Sequence, residues 1–249
     1  MKISIITATY NSSATIDGCI ASVNKQTYQN IEHIIIDGDS SDKTLEVVRN
    51  TPSRITHIIS EPDKGIYDAM NKGIAIATGD IIGILNSDDF LASDDILELI
   101  SKSFEKENCD AIFGNLDFVA SNDTARIIRK WKSSSFEKGS FAKGWHSPHP
   151  TFYVKREIYE KYGTFDISLN VSADFEIMLR FLERYKIKAH YLDRIIVKMR
   201  YGGESTGSLR KILRGNFNIK KAFKKNGIKV SPFYPFIRLI PKLKEFIIK

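Results

Sequence analysis

Short apolar runs rich in β-forming residues alternate with amphipathic stretches through the first half of this 249-residue chain, and that alternation limits the fold more than any other feature. Ile3–Thr9, Ile31–Asp37, Ile55–Ser60 and Ile81–Leu85 read as strands, and the stretches at about 14–26, 41–50, 66–77 and 93–106 read as helices. Strands and helices in that order predict an α/β fold, a parallel sheet with helices on both faces. The length suits one large domain with at most a small appendage. In such sheets ligands bind beyond the carboxyl ends of the strands, where the loops converge. Three of these ends are polar: Thr9-Tyr10-Asn11, Asp37-Gly38-Asp39-Ser40 and Asn86-Ser87-Asp88-Asp89.

The next part of the chain is less regular, with strands expected at 110–119, 126–131 and 150–155. The Ser/Gly/Lys-rich loop at 133–144 is either a lid or a surface connection. Asp174 opens a helix whose apolar positions Phe175, Met178, Leu179 and Leu182 recur at helical spacing. A basic helix follows at about 208–226.

Asp88 and Asp89 are adjacent carboxylates directly after a nearly all-apolar strand. Mg²⁺ and Mn²⁺ want oxygen ligands and usually take one or two protein carboxylates, with phosphates and water completing the shell. An acidic turn capping the next helix is the other reading, because Ser93-Asp94-Asp95 follows closely. Asp37 suits hydrogen bonds from a base or ribose, and it suits a plain turn. The first loop lacks Gly, so it is neither a Walker nor a Rossmann phosphate loop. Between the third strand and its helix, Asp68, Asn71 and Lys72 are three to four residues apart and share one helix face, which either reaches a common ligand or is solvated.

In combination and order, these motifs resemble the family 2 glycosyltransferases. The resemblance runs from about residue 2 to about 206, is strongest over 3–90, and extends at Glu61–Gly73 to members that work on bacterial surface polysaccharides. It implies a GT-A fold over 1–206: a Rossmann-like, mostly parallel central sheet with helices on both faces. It also implies an inverting transfer of sugar from a nucleotide diphosphate, a UDP-sugar first, to a hydroxyl of a saccharide or lipid-linked saccharide. By the same resemblance Thr7, Thr9, Asn11, Asp37, Asp39, Asp68, Asn71, Lys72, Asn86, Asp88 and His149 line the nucleotide-sugar site. Asp88 and Asp89 would hold Mn²⁺ or Mg²⁺, and Asp174 would be the general base that deprotonates the acceptor.

The chain departs from the family at two points. Many members have Asp-Asp-Gly-Ser where this chain has Asp37-Gly38-Asp39-Ser40, which leaves open which carboxylate reads the base, and many have Asp in place of Asn86. Asp174 also suits a helix N-cap. The loop Gly202-Gly203-Glu204-Ser205-Thr206 resembles a family loop whose glycines let backbone approach the diphosphate, and it equally suits a turn. Zinc is the weaker reading of His146-Ser147-Pro148-His149-Pro150, because no Cys or further His lies at ligand spacing.

The net charge of +7 is concentrated at one end: from Lys198 to Lys249 there are fourteen Lys and Arg against Glu204 and Glu245. Such asymmetry suits a polyanion, either nucleic acid or an anionic membrane face. The region 207–249 is expected as a basic amphipathic helical tail. Phe233, Tyr234 and Phe236 precede a face of Ile240, Leu243 and Ile247, which favours peripheral attachment to the inner face of the cell membrane, with no nucleic acid expected. Cys19 and Cys109 imply no disulfide framework, so a cytoplasmic location is expected. A glycoside hydrolase would need no nucleotide loop, and a nucleotidyltransferase would show a Gly-rich loop after the first strand.

Overall fold

The computed structural model describes residues 1–202 and 209–238, so the expected loop at 203–206 and the face made by Ile240, Leu243 and Ile247 lie outside the described residues. The first half follows the periodicity: β1 (Ile3–Thr9), α1 (Ile16–Asn24), β2 (Ile31–Asp37), α2 (Thr44–Asn50), β3 (Ile55–Ser60), α3 (Ile66–Ile76) and β4 (Ile81–Ile84). The four strands pair in parallel in the order β3-β2-β1-β4. Their carboxyl ends, and every polar motif after them, therefore fall on one edge.

After β4 come β5 (Asp89–Leu91), α4 (Ile96–Glu107), β6 (Ala111–Ala120), β7 (Asp123–Trp131), β8 (Tyr153–Lys155), α5 (Arg156–Tyr162), α6 (Ala173–Leu179) and β9 (Ala189–Arg200). They extend the sheet to nine strands in the order β3-β2-β1-β4-β8-β6-β9-β5, with β7 paired to β6. Six strands point one way, and β5, β7 and β8 point the other. The short β5, α5 and β9 are not anticipated by the periodicity. Where a strand is expected at 150–155, a 3₁₀ turn covers His149–Thr151 and only Tyr153–Lys155 is extended. Pro150 has no N–H to give a ladder, which accounts for the shortening. The helix expected from Asp174 begins at Ala173 and ends in a π turn at Arg180–Arg184.

Both faces of the sheet are sealed. Ile6, Ile34 and Ile36 pack with Met70 and Ile74 of α3 and with Phe175 and Met178 of α6, while Ile3 and Ile5 pack with Val23 of α1 and Leu97 and Ile100 of α4. Burying each such side chain contributes roughly 1.5–3 kcal/mol. α3 lies directly on β1: a Cβ added at Gly73 would meet Ile6 Cγ2 at 2.4 Å. That close contact fixes the height of α3 above the strand ends.

The C-terminal elements α7 (Leu209–Lys225) and α8 (Tyr234–Ile237) belong to this body. Ile219, Ala222, Phe223 and Tyr234 are buried in the same core as α3 and α6, with Phe223 ring-to-ring against Phe175 at 5.6 Å and Tyr234 at 4.9 Å. Asn226 Nδ2 donates to Glu176 Oε1 at 2.9 Å, and Lys225 pairs with Asp166. Within the expected tail, Ile219–Asn226 and Tyr234 thus pack against the domain core. Tyr234, expected on an anchoring face, is buried, because its ring fills the space beside Phe223.

Candidate active site at the strand ends

The loops after β1, β2 and β3 are tied together by side chains binding backbone. Asn11 sits at φ 48°, its N–H donates to Ser40 Oγ at 2.8 Å, and its Oδ1 accepts from Ser41 N at 3.0 Å and Asp42 N at 3.3 Å. Asp37 is fully buried and accepts from Ser40 N at 3.0 Å, Ser40 Oγ at 2.5 Å and Ser60 Oγ at 2.7 Å. Each charge-assisted bond of this kind contributes about 1.5–3 kcal/mol. Asp37 and Asn11 therefore hold the loops in place, while Asp39 is exposed at φ 65°.

Thr7 does not reach the strand ends. Its side chain is buried, with Oγ1 3.1 Å from His33 Nε2 and 3.7 Å from Cys19 Sγ, because odd positions of β1 point into the face packed by α1. Thr9, one turn of the pleat further on, is buried with an Oγ1 that meets no hydrogen-bond partner among the described residues. Tyr10 is 62% exposed, its ring standing over the Asp37–Ser40 loop.

On α3 the three expected side chains divide. Asn71 uses its whole amide as a clamp, Nδ2 donating to Phe165 O and Oδ1 accepting from Phe165 N, both at 2.9 Å. Asp68 Oδ2 accepts from Lys64 N at 3.0 Å, and Lys72 Nζ bonds Pro62 O at 2.9 Å and Glu61 at 2.8 Å. Asp68 and Lys72 thereby shape the loop that precedes their own helix.

After β4 the two adjacent carboxylates differ sharply. Asp88 is half-buried, and burial raises its carboxyl above the ordinary range, partly offset by the Arg200 guanidinium. Asp89 is fully buried in β5, held well above that range first by burial and then by the neighbouring charge of Asp88. Its Oδ2 accepts from Asn86 Nδ2 at 3.0 Å, while Asp89 Oδ1 and Asn86 Oδ1 are buried with no hydrogen-bond partner among the described residues. Oxygen donors and two carboxylates with unfilled acceptor capacity fit a hard divalent cation. Among the described residues no group of three or more His, Cys, Asp or Glu forms a cage.

Arg200, at the end of β9, donates from Nη1 to Asp88 O at 2.6 Å and lies over the Phe90 ring at 5.2 Å. It is a site neighbour that sequence patterning misses, since β9 carries no strand signal that would bring residue 200 beside residue 88.

Asp174 stands at the start of α6, apart in sequence from the strand ends. Tyr67 Oη donates to its Oδ1 at 3.0 Å, and His149 Nδ1 lies 3.4 Å from its Oδ2. Burial lowers the basicity of His149, and the charge of Asp174 partly restores it. Tyr67 is positioned by stacking on Phe165 with centroids 5.5 Å apart. Next to Asp174 a box of rings is packed: Phe175 against Phe141 at 5.4 Å and against His146 at 5.7 Å, and Trp145 against Phe141 at 5.3 Å. The loop at 133–144, a lid or a connection by sequence, is held here by the fully buried Phe141.

Residues 4–163 match the profile of glycosyl transferase family 2. An uncharacterized glycosyltransferase of Mycobacterium tuberculosis is 30% identical over 181 residues, 72% of this chain and 68% of that protein. The Escherichia coli UDP-Glc:alpha-D-GlcNAc-diphosphoundecaprenol beta-1,3-glucosyltransferase WfgD is 37% identical over 121 residues, 48% of this chain and 47% of that protein. In fold, the chain is similar to the Pyrobaculum calidifontis mannosyltransferase PcManGT, solved with GDP-Man and Mn²⁺, with a TM-score of 0.64 at 20% identity over 97% of this chain and 69% of that one. The mixed sheet, mostly parallel, with helices on both faces is that of the GT-A enzymes, and with more than half of its length matched the chain belongs to glycosyl transferase family 2.

Proposed function

We propose that this chain transfers a sugar from a nucleotide diphosphate, a UDP-sugar first, to a hydroxyl of a saccharide or lipid-linked saccharide in surface-polysaccharide synthesis, inverting the anomeric centre. The observation that carries this is the convergence of Tyr10, the Asp37–Ser40 loop and Asp88 on one edge of the sheet, with Asp174 held by Tyr67 and His149. The donor's nucleoside would lie against Tyr10, and its diphosphate would point toward Asp88. Asp88, being half-buried, would hold Mn²⁺ or Mg²⁺, with the bonded pair Asp89 and Asn86 beside it. A bound cation would offset the charge that grows on the leaving diphosphate.

Asp174 would take the acceptor proton as the acceptor oxygen attacks. A carboxylate offers about four lone-pair sites, so the Tyr67 and His149 contacts leave room for that hydroxyl. Tyr67 fixes the orientation of the carboxylate.

The test is transfer itself: UDP-sugars with Mn²⁺ and a short-chain prenyl-diphosphate-linked N-acetylglucosamine, product configuration read by NMR. The E. coli relative's name describes glucosyl transfer to such an acceptor. An inverted glycosidic product that vanishes with chelator is expected. No turnover from any UDP- or GDP-sugar would overturn the reading.

A membrane-facing role has its own observation. Phe217, Phe233 and Phe236 are each about 70% exposed on the docked C-terminal elements, with Lys220 and Lys224 exposed on α7. Among the described residues no helix is long and apolar enough to span a bilayer. Aromatics with lysines beside them suit an interfacial contact, each basic residue near an anionic leaflet contributing roughly 1 kcal/mol. Sedimentation with phosphatidylglycerol vesicles is expected for the full chain and reduced for Phe217→Ser/Phe233→Ser/Phe236→Ser. Equal sedimentation of both would remove the membrane role.

A further inference from the structure

We propose that the cavity walled by β6, β7 and β9 is a second saccharide site, which takes a sugar unit carrying a carboxylate or a phosphate. The proposal goes beyond the transfer reading: the cavity shares no lining residue with the strand-end site, and its occupation needs neither donor nor turnover.

The cavity has a volume of about 620 Å³, within the range of small-molecule sites. Asp117 of β6 lines it and is only 2% exposed. In register beside Asp117 stand Lys130 of β7 and Lys198 of β9, one on each side. Register partners on neighbouring strands share a face, so the three form a row across the sheet, and all three line the cavity. Among the described residues Asp117 Oδ2 is buried with no hydrogen-bond partner. The two lysines act on this carboxylate through their charge, opposing the rise that burial gives its carboxyl.

The other charges of the wall are engaged with one another or with the rim. Lys132 pairs with Asp193 at 3.5 Å, and Arg194 pairs with Asp95 at 3.6 Å. Asp193 Oδ1 also accepts from Asn115 Nδ2 at 2.8 Å and from Tyr191 Oη at 2.9 Å, while Asn115 Oδ1 accepts from Ser133 N at 2.8 Å. This bonding fixes the wall and leaves the row of Lys130, Asp117 and Lys198 as the part open to a ligand.

A buried carboxylate with an unfilled oxygen needs a hydrogen-bond donor, and a hydroxyl supplies one. Two ammonium groups against one carboxylate leave an excess of positive charge, which an anionic substituent matches. Ile127 and Ile195, 43% and 38% exposed, give the wall an apolar part that suits the C–H face of a sugar ring. An acidic sugar offers all three chemistries together. A neutral sugar lacks the anion, and inorganic phosphate lacks the apolar face. Lys198 stands two residues before Arg200, the neighbour of Asp88, roughly 7 Å along β9. A glycan whose acidic unit sits in the cavity therefore has the rest of its chain near the strand-end site.

The test is ligand-observed NMR titration of the full chain, without nucleotide or metal, using methyl β-D-glucuronide, glucose-6-phosphate, methyl β-D-glucoside and inorganic phosphate. At least one of the two anionic sugars is expected to bind wild type about tenfold or more tightly than the glucoside and than inorganic phosphate, and the tighter of the two tells carboxylate from phosphate. Lys130→Gln/Lys198→Gln should weaken that sugar about tenfold. Asp117→Val should weaken it as well, with no loss for inorganic phosphate; if that variant does not fold, the lysine variant decides alone. Glucoside or inorganic phosphate binding as tightly as both anionic sugars would overturn the proposal, as would unchanged affinity in either folded variant or binding of none of the four. Each of these failures leaves the transfer reading to its own assay.

Discussion

The strand-end loops and the surroundings of Asp174 are assembled by different forces. After β1, β2 and β3 the loops are joined by short polar bonds, and Asn11, Ser40, Asp37 and Ser60 come from motifs that announce themselves along the chain. Asp174 is placed by Tyr67, 107 residues away, and by rings drawn from four separate segments. The polar side is fixed by hydrogen bonds that a single isosteric change can remove without emptying the core. The ring side is fixed by packing, so changes there are felt as stability before they are felt as chemistry.

The sharpest way to separate the two is to change the chemistry on the ring side without touching its packing. Asp174→Asn is expected to lower turnover about 10²–10⁴-fold with little change in unfolding midpoint, as read by steady-state kinetics and thermal melts. Next in size, Phe223→Ala removes the ring that bridges Phe175 and Tyr234 and should cost about 3–5 kcal/mol, lowering the midpoint by roughly 10 °C. If Phe223→Ala melted like wild type, the docking of α7 and α8 into the core would be wrong.

A third change probes the polar bonding away from the site. Burial works to raise the Glu32 carboxyl, but hydrogen bonds from Lys2, Ser4 and Thr78 outweigh it and hold it at about 2, below the ordinary 4.5. A depressed value means that the contribution is fully present above about 4.5 and is lost as pH falls toward 2. Glu32→Gln should therefore cost roughly 2 kcal/mol at pH 7, with a gap from wild type that closes under acid in denaturant melts. The smallest effect is expected from Tyr67→Phe, which keeps the stack on Phe165 and deletes one hydrogen bond to Asp174: about a tenfold loss in turnover, with nucleotide affinity unchanged.

The same contrast explains what could be read from the chain. β1, β2, β4 and the helices of this half are legible because each buries an apolar run of the right period, β3 only by its β-branched residues, and Asp37, Asp88 and Asp174 because polar residues end or begin such runs. β5 and β9 were not, since Asp89–Leu91 is three residues long and Ala189–Arg200 mixes Lys, Arg and Asp with its apolar positions. Without β9, Arg200 had no visible route to Asp88. The contacts of Thr7 with His33 and Cys19 are not legible either, since a polar residue near a strand end looks the same whether it is bonded inside the core or open at the edge. The clamp of Asn71 on the Phe165 backbone leaves no mark in local spacing.

The central claim is a division of labour, with nucleotide and cation held at the strand ends and the proton taken by Asp174. Metal-dependent UDP binding, measured by calorimetry on wild type, Asp88→Asn and Asp174→Asn, tests it most directly. The account predicts binding to the wild type that requires Mn²⁺, loss of that requirement and of at least about tenfold in affinity for Asp88→Asn, and wild-type affinity for Asp174→Asn. Metal-dependent binding that survives in Asp88→Asn, or that disappears in a folded Asp174→Asn, would contradict it.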